Sequence, residues 1–139
     1  MADLDPGSFE IRLANAEGVP VVRLGGSITR TAVQAIQSTL RTLAGAGHYN
    51  IVLNIERIDP ANWDFLGQLS DTVAEIRSHY GAVNLVAAAD RLQQIRRAGV
   101  LANLFRVCAS ERDAISRIKR LSRPPEGVSN INARLLEQS

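Results

Sequence analysis

Ile51 to Leu69, IVLNIERIDPANWDFLGQL, is the stretch that decides the fold. Ile51, Val52, Leu53 and Ile55 form a nearly continuous apolar run too short for a buried helix, so it reads as a buried strand. Pro60 and Asn62 stop the extended segment and offer a helix start, after which Leu66, Leu69, Val73 and Ile76 recur at helical spacing. A strand that enters a helix in this way points the helix's unpaired N–H groups, and the positive end of its dipole, at the connecting loop. Such a place favours negative charge, and Asp64 is the acid placed there. This junction is the expected site of function.

Upstream, Phe9 to Leu13 alternates like a strand, Asn15 to Gly18 reads as a turn, and Val19 to Leu24 as the second strand of a hairpin. Pro20 suggests an edge or a strand start. Thr29 or Thr31 can cap a helix whose apolar stripe is Val33, Ile36, Leu40 and Leu43, and Gly45 and Gly47 end it. That GAG follows a helix, so it is a stop signal and not a dinucleotide fingerprint; no GxxxxGK phosphate loop occurs either. Downstream come a buried strand over Ala82 to Ala88, a short helix over Arg91 to Ala98, and a short strand over Phe105 to Cys108. Ser110 with Asp113 resembles a capping box that opens a final helix, with Ile115, Ile118 and Leu121 as its stripe until Pro124 and Pro125 break it. The order ββαβαβαβα implies an α/β fold: a mixed, mostly parallel sheet packed with helices. In the tail, Ile131 and Leu135 stand one helical turn apart, and Leu136 follows.

The 139 residues fit one domain, and with 4% aromatics the core must be built from Leu, Ile, Val and Ala. Cys108 is the only cysteine, which excludes an intramolecular disulfide, and Met1 to Pro6 is acidic and lacks the regions of a signal peptide. A cytoplasmic location is expected. No apolar run approaches the roughly 20 residues of a membrane-spanning helix. The net charge of +2 implies no nucleic-acid partner, and the late arginines, without interleaved aromatics, read as a solvated face. His48 and His79 fall in loops without ligand-spaced neighbours, so no metal or cofactor is implied, and no Ser-His or Cys-His pairing suggests catalysis.

Element order and junction together resemble the STAS domain, the family of bacterial anti-sigma-factor antagonists and related modules. The resemblance runs from Phe9 to Leu121 and rests on three segments: VVRLGGSIT at Val21 to Thr29, the junction at Ile51 to Leu69, and AGVLANLF at Ala98 to Phe105. It implies one STAS-like domain over 9–123, with tails at 1–8 and 124–139. In that family a serine kinase that is also the anti-sigma factor phosphorylates a serine at the start of the central helix, and the phosphate turns binding off. Setting Leu66 and Gly67 on the family's Leu-Gly places Asn62 at the motif's aspartate, Trp63 at the phosphoacceptor serine, Asp64 at the second serine and Phe65 at the glycine. Ser27 and Thr29 stand where the family has Glu and Asp, and Asn54 where it has Asp. The acceptor hydroxyl is thus lost and the acidic surroundings are neutralised.

Two readings of Asp64 stay open: a routine first-turn acid, or a permanent, weaker mimic of phosphoserine. Trp63 is either the largest core residue or an interface anchor. The anchor is preferred, because Trp63 and Phe65, two residues apart, do not readily turn the same way. On that reading Trp63→Ala weakens association by about 2 kcal/mol and leaves folding nearly intact. The expected function is a non-catalytic interaction module, contacting its partner through Asn62, Trp63, Asp64, Phe65, Ser27, Thr29 and Asn54. The expected partner is a serine-kinase-like anti-sigma factor or another STAS protein, and a homodimer is compatible with the sequence. The alternative is an accessory subunit of a lipid-transport ATPase.

Overall fold

The computed structural model describes residues 9–91, 93–94 and 104–122. Five strands form one mixed sheet in the order β1-β2-β3-β4-β5: β1 Glu10–Ala16, β2 Val19–Gly25, β3 Asn50–Arg57, β4 Ala82–Val86 and β5 Arg106–Cys108. Only β1 and β2 are antiparallel; β2 through β5 run parallel. Between them lie α1 Arg30–Gly45, a 3₁₀ helix Pro60–Leu69 continuous with α2 Ser70–Ser78, and, after β5, α3 Glu111–Ser122. The expected helix over Arg91 to Ala98, most of the segment Ala98 to Phe105 and both tails fall largely or wholly outside the described residues. Ala89–Arg91 is a short 3₁₀ turn.

The hairpin runs further than its sequence suggests. β1 continues through Asn15 to Ala16, which pairs with Val19, so the loop is only Glu17 and Gly18. Both have positive φ, 56° and 87°, the requirement of a tight hairpin turn that follows the strand twist. Asn15 Oδ1 accepts from the Gly18 N–H at 2.9 Å. Pro20 is not on an edge, since β2 lies between β1 and β3. The parallel ladder to β3 begins only at Val21 with Val52, so the missing N–H of Pro20 costs no bond there.

Strand alternation divides the core in two. Val22, Leu24, Ile51, Leu53, Ile55, Val83 and Leu85 face α1 and α2, whose Ile36, Leu40, Val73 and Ile76 pack onto them. Val19, Val21, Val52, Val86 and Cys108 face the opposite way, onto Ala114, Ile115 and Ile118 of α3. Each fully buried aliphatic contributes about 1.5–3 kcal/mol, more than any helix propensity at stake, so packing holds these helices in place. Burial also holds the Cys108 thiol above its ordinary pKa.

The helix ends follow local chemistry. Thr29, not Thr31, caps α1: its Oγ1 accepts from the Ala32 N–H at 3.1 Å. At the other end His48 N–H donates to Leu43 O and Gly47 N–H to Ala44 O, both at 2.9 Å, with Gly47 at φ 94°. α2 ends in the same motif, but Tyr80 takes the left-handed position at φ 63°, and Gly81 N–H donates to Ile76 O at 3.3 Å. Ser110 Oγ accepts from Asp113 N–H at 3.1 Å, as the capping spacing requires.

Candidate functional site

The junction starts two residues earlier than Asn62. Asp59 is the cap: its Oδ1 accepts from Ala61 N–H at 3.0 Å and its carbonyl from Asn62 N–H at 2.8 Å, while Pro60 has no N–H to satisfy. The first-turn donors are therefore already used, and Asp64, in the second turn, does not sit at the dipole end of this helix. What Asp64 faces instead is a groove between the 3₁₀ helix and the start of α1. The groove has a volume of about 310 Å³; Asn62, Asp64 and Gln68 line one wall, and Thr29 and Arg30 the other. Half-buried Ile28, with buried Val33 and Phe65, adds the apolar lining. Gln37 Nε2 donates to Gln68 O at 2.9 Å and ties the two walls together. α1 has no acid in its first turn, so the helix N-terminus that favours negative charge at this groove belongs to α1. Neither Arg30 nor Asp64 has an ion-pair partner among the described residues.

Trp63 is not a surface residue. It is 5% exposed and Phe65 2% exposed; both belong to the main core, and Trp63 Nε1 donates to Ile58 O at 3.2 Å. The expectation that one aromatic must face outward fails for a geometric reason. Residues two apart are separated by roughly 120° around a 3₁₀ helix but about 160° around an α-helix. A 3₁₀ segment packed against α1 can bury both. Trp63 is accordingly a core residue, and its assignment as an interface anchor is corrected.

The remaining candidates separate. Thr29, Asn62, Asp64 and Phe65 meet at the groove, while Ser27 is exposed in the loop before Thr29 and outside the cavity. Asn54 lies on the α3 side of the sheet. Its Nδ2 donates to Glu111 Oε2 at 2.7 Å and its Oδ1 accepts from Glu56 N–H at 2.9 Å. Arg23 grips the same carboxylate from both sides, Nε to Oε2 and Nη2 to Oε1, each at 2.8 Å. Sequence reasoning had no signal for this network, because Glu111 is 88 residues from Arg23. The hydrogen bond from Arg23 holds the Glu111 carboxyl below its ordinary value of 4.5; partial burial opposes this and Asn54 assists it. A carboxyl depressed in the folded state contributes stability above its unfolded pKa and loses it as pH falls through the folded value. Glu111→Gln should therefore cost about 1 kcal/mol at neutral pH and flatten the fall in stability below about pH 4.5, read from urea midpoints across pH.

Among the described residues no group of three His, Cys, Asp or Glu side chains could hold a metal ion. No helix among them is long and apolar enough to cross a membrane. His79 stacks on Tyr49 with ring centroids 4.4 Å apart and an interplanar angle of 18°.

No protein-family model and no curated protein sequence matches the chain. Solved structures do. An anti-sigma factor antagonist from Mycobacterium paratuberculosis superposes with a TM-score of 0.63 at 16% identity, over 82% of this chain and 97% of that one. The protein TM1081 gives 0.63 at 13% identity, over 78% and 87%. The anti-sigma factor antagonist SpoIIAA in its unphosphorylated form gives 0.54 at 23% identity, over 81% and 98%. The chain has the STAS-like fold, a mixed five-stranded sheet with helices on both faces.

Proposed function

We propose that this STAS-like domain is a non-catalytic interaction module of the anti-sigma-factor-antagonist kind, acting in the cytoplasm on transcription or stress signalling. It grips a protein partner in the groove between Thr29–Arg30 and Asn62–Gln68. The partner is a serine-kinase-like anti-sigma factor or another STAS protein. The groove itself carries the reading: a mostly polar lining over an apolar base, with a cation on one wall and an anion on the other, neither paired among the described residues, at the junction the fold places between its first two helices. Both charges are exposed and lie on regular elements, which suits a complementary segment that presents one acid and one base.

The same site is not switched by serine phosphorylation, because no hydroxyl side chain occurs between Pro60 and Leu69. Asp64 supplies a fixed charge of about −1 where a phosphoserine would bring −1.5 to −2. Ser70 is the nearest hydroxyl and is only half-exposed, at the start of α2.

The test compares retention of an anti-sigma factor by the unaltered chain and by Asp64→Lys. The substitution should weaken binding tenfold or more, about 1.4 kcal/mol, and change folding stability by no more than about 0.5 kcal/mol. Equal retention by Asp64→Lys and by Arg30→Glu would remove the groove from consideration. Recovery of a membrane ATPase in place of a soluble kinase would favour the transport-subunit role instead. In parallel, incubation with ATP and the kinase should leave Pro60 to Leu69 free of phosphate by mass spectrometry.

A further inference from the structure

At the end of the α1–α2 layer away from that groove, the two helices enclose a second cavity of about 240 Å³. Arg41 reaches it from α1 and Glu75 from α2. Neither charge is paired with the other or with any described residue. Both are exposed, and both border the lined space. Ala44 and Ile76 supply apolar wall, and the Tyr49 ring, held by its stack on His79, supplies a flat aromatic one. Thr72 adds a buried wall. It is 2% exposed, and its Oγ1, closed off from the cavity space by surrounding protein, has no hydrogen-bond partner among the described residues.

We propose that this cavity binds a small zwitterion of the α-amino-acid class. Its carboxylate takes the two-pronged guanidinium of Arg41, a geometry matched to a planar anion. Its ammonium faces the Glu75 carboxylate, in a region where the C-terminal ends of both helices add negative potential. Its side chain lies against Ala44, Ile76 and the Tyr49 ring. The volume falls below the range usual for drug-sized ligands, which suits a single amino acid.

The experiment titrates the full chain, isotope-labelled, with each of the twenty common amino acids at 10 mM, following the Ala44, Thr72 and Ile76 resonances by NMR. At least one should produce saturable shifts confined to this end of the molecule. For L-leucine the single-charge analogues are 3-methylbutylamine, without the carboxylate, and 4-methylpentanoate, without the ammonium; the matching pair is used for whichever amino acid binds. Each analogue should bind at least tenfold more weakly. Arg41→Gln and Glu75→Gln, both exposed and so compatible with folding, should each weaken binding tenfold while leaving the rest of the spectrum in place. Absence of shifts with all twenty, or a single-charge analogue that binds as tightly as its parent, overturns the assignment. So does unchanged affinity in both variants.

Discussion

Trp63→Ala should remove about 3–5 kcal/mol of folding stability, the cost of emptying a large buried aromatic site that cannot fully collapse. For a domain with a typical total of about 5–15 kcal/mol this is a large fraction, and the variant should melt far below the parent or accumulate unfolded. The loss has two parts. Trp63 is 5% exposed and shares the main core with Leu66, Leu69 and Ile55, so the vacated space lies inside a packed cluster. Its indole N–H also satisfies the Ile58 carbonyl at 3.2 Å, which fixes the turn leaving β3. Trp63→Phe keeps most of the volume and loses only that bond, so it should cost about 1–2 kcal/mol. Chemical denaturation followed by circular dichroism measures both variants. Trp63 is the sole tryptophan, so the native emission should be blue-shifted and should move to the red on unfolding. Red emission from the native protein, together with an unchanged midpoint for Trp63→Ala, would contradict the buried position.

Gly81→Ala should cost about 3 kcal/mol or more, although it adds one methyl group. A Cβ at this position would stand 1.8 Å from the Tyr49 carbonyl oxygen and 2.6 Å from both its carbonyl carbon and its Cβ. The obstacle is backbone and cannot rotate aside. It is also engaged: Tyr49 O accepts from Ala82 N–H at 2.8 Å, the contact that leads into the pairing of Asn50 with Ala82 at the start of the β3–β4 ladder. Relief of the collision would separate the two central strands at their first rung. Gly45→Ala is the internal control. A Cβ there meets nothing within 4 Å in the last turn of α1, so removing a flexible glycine from a helix should leave stability unchanged or raise it by up to about 1 kcal/mol. Equal urea midpoints for the two variants would refute the close approach at Gly81.

The strand order, the parallel centre and the division between buried strands and amphipathic helices were determined by sequence pattern, as far as the described residues reach. The same holds for the Gly47 stop and the Ser110 cap, whereas the cap of α1 was narrowed only to Thr29 or Thr31 until the structure placed Thr29 Oγ1 on the Ala32 N–H. Each rests on residues within a turn or two of one another, where periodicity, capping oxygens and glycine act without reference to the rest of the chain. Only the tertiary structure decided where the junction side chains point. The 3₁₀ winding that buries both Trp63 and Phe65 depends on α1 lying over Pro60–Leu69, and no pattern inside IVLNIERIDPANWDFLGQL specifies that neighbour. Asn54 passed for a member of the junction because it is near in sequence. Its partner is Glu111, 57 residues away on the other face of the sheet, because alternation along β3 turns every second side chain from the α1 layer to α3. Gly81 carries no local signal at all, since its requirement comes from a carbonyl 32 residues earlier. Local chemistry sets what each segment becomes; the direction in which its side chains face is set by the surfaces that distant segments bring against it.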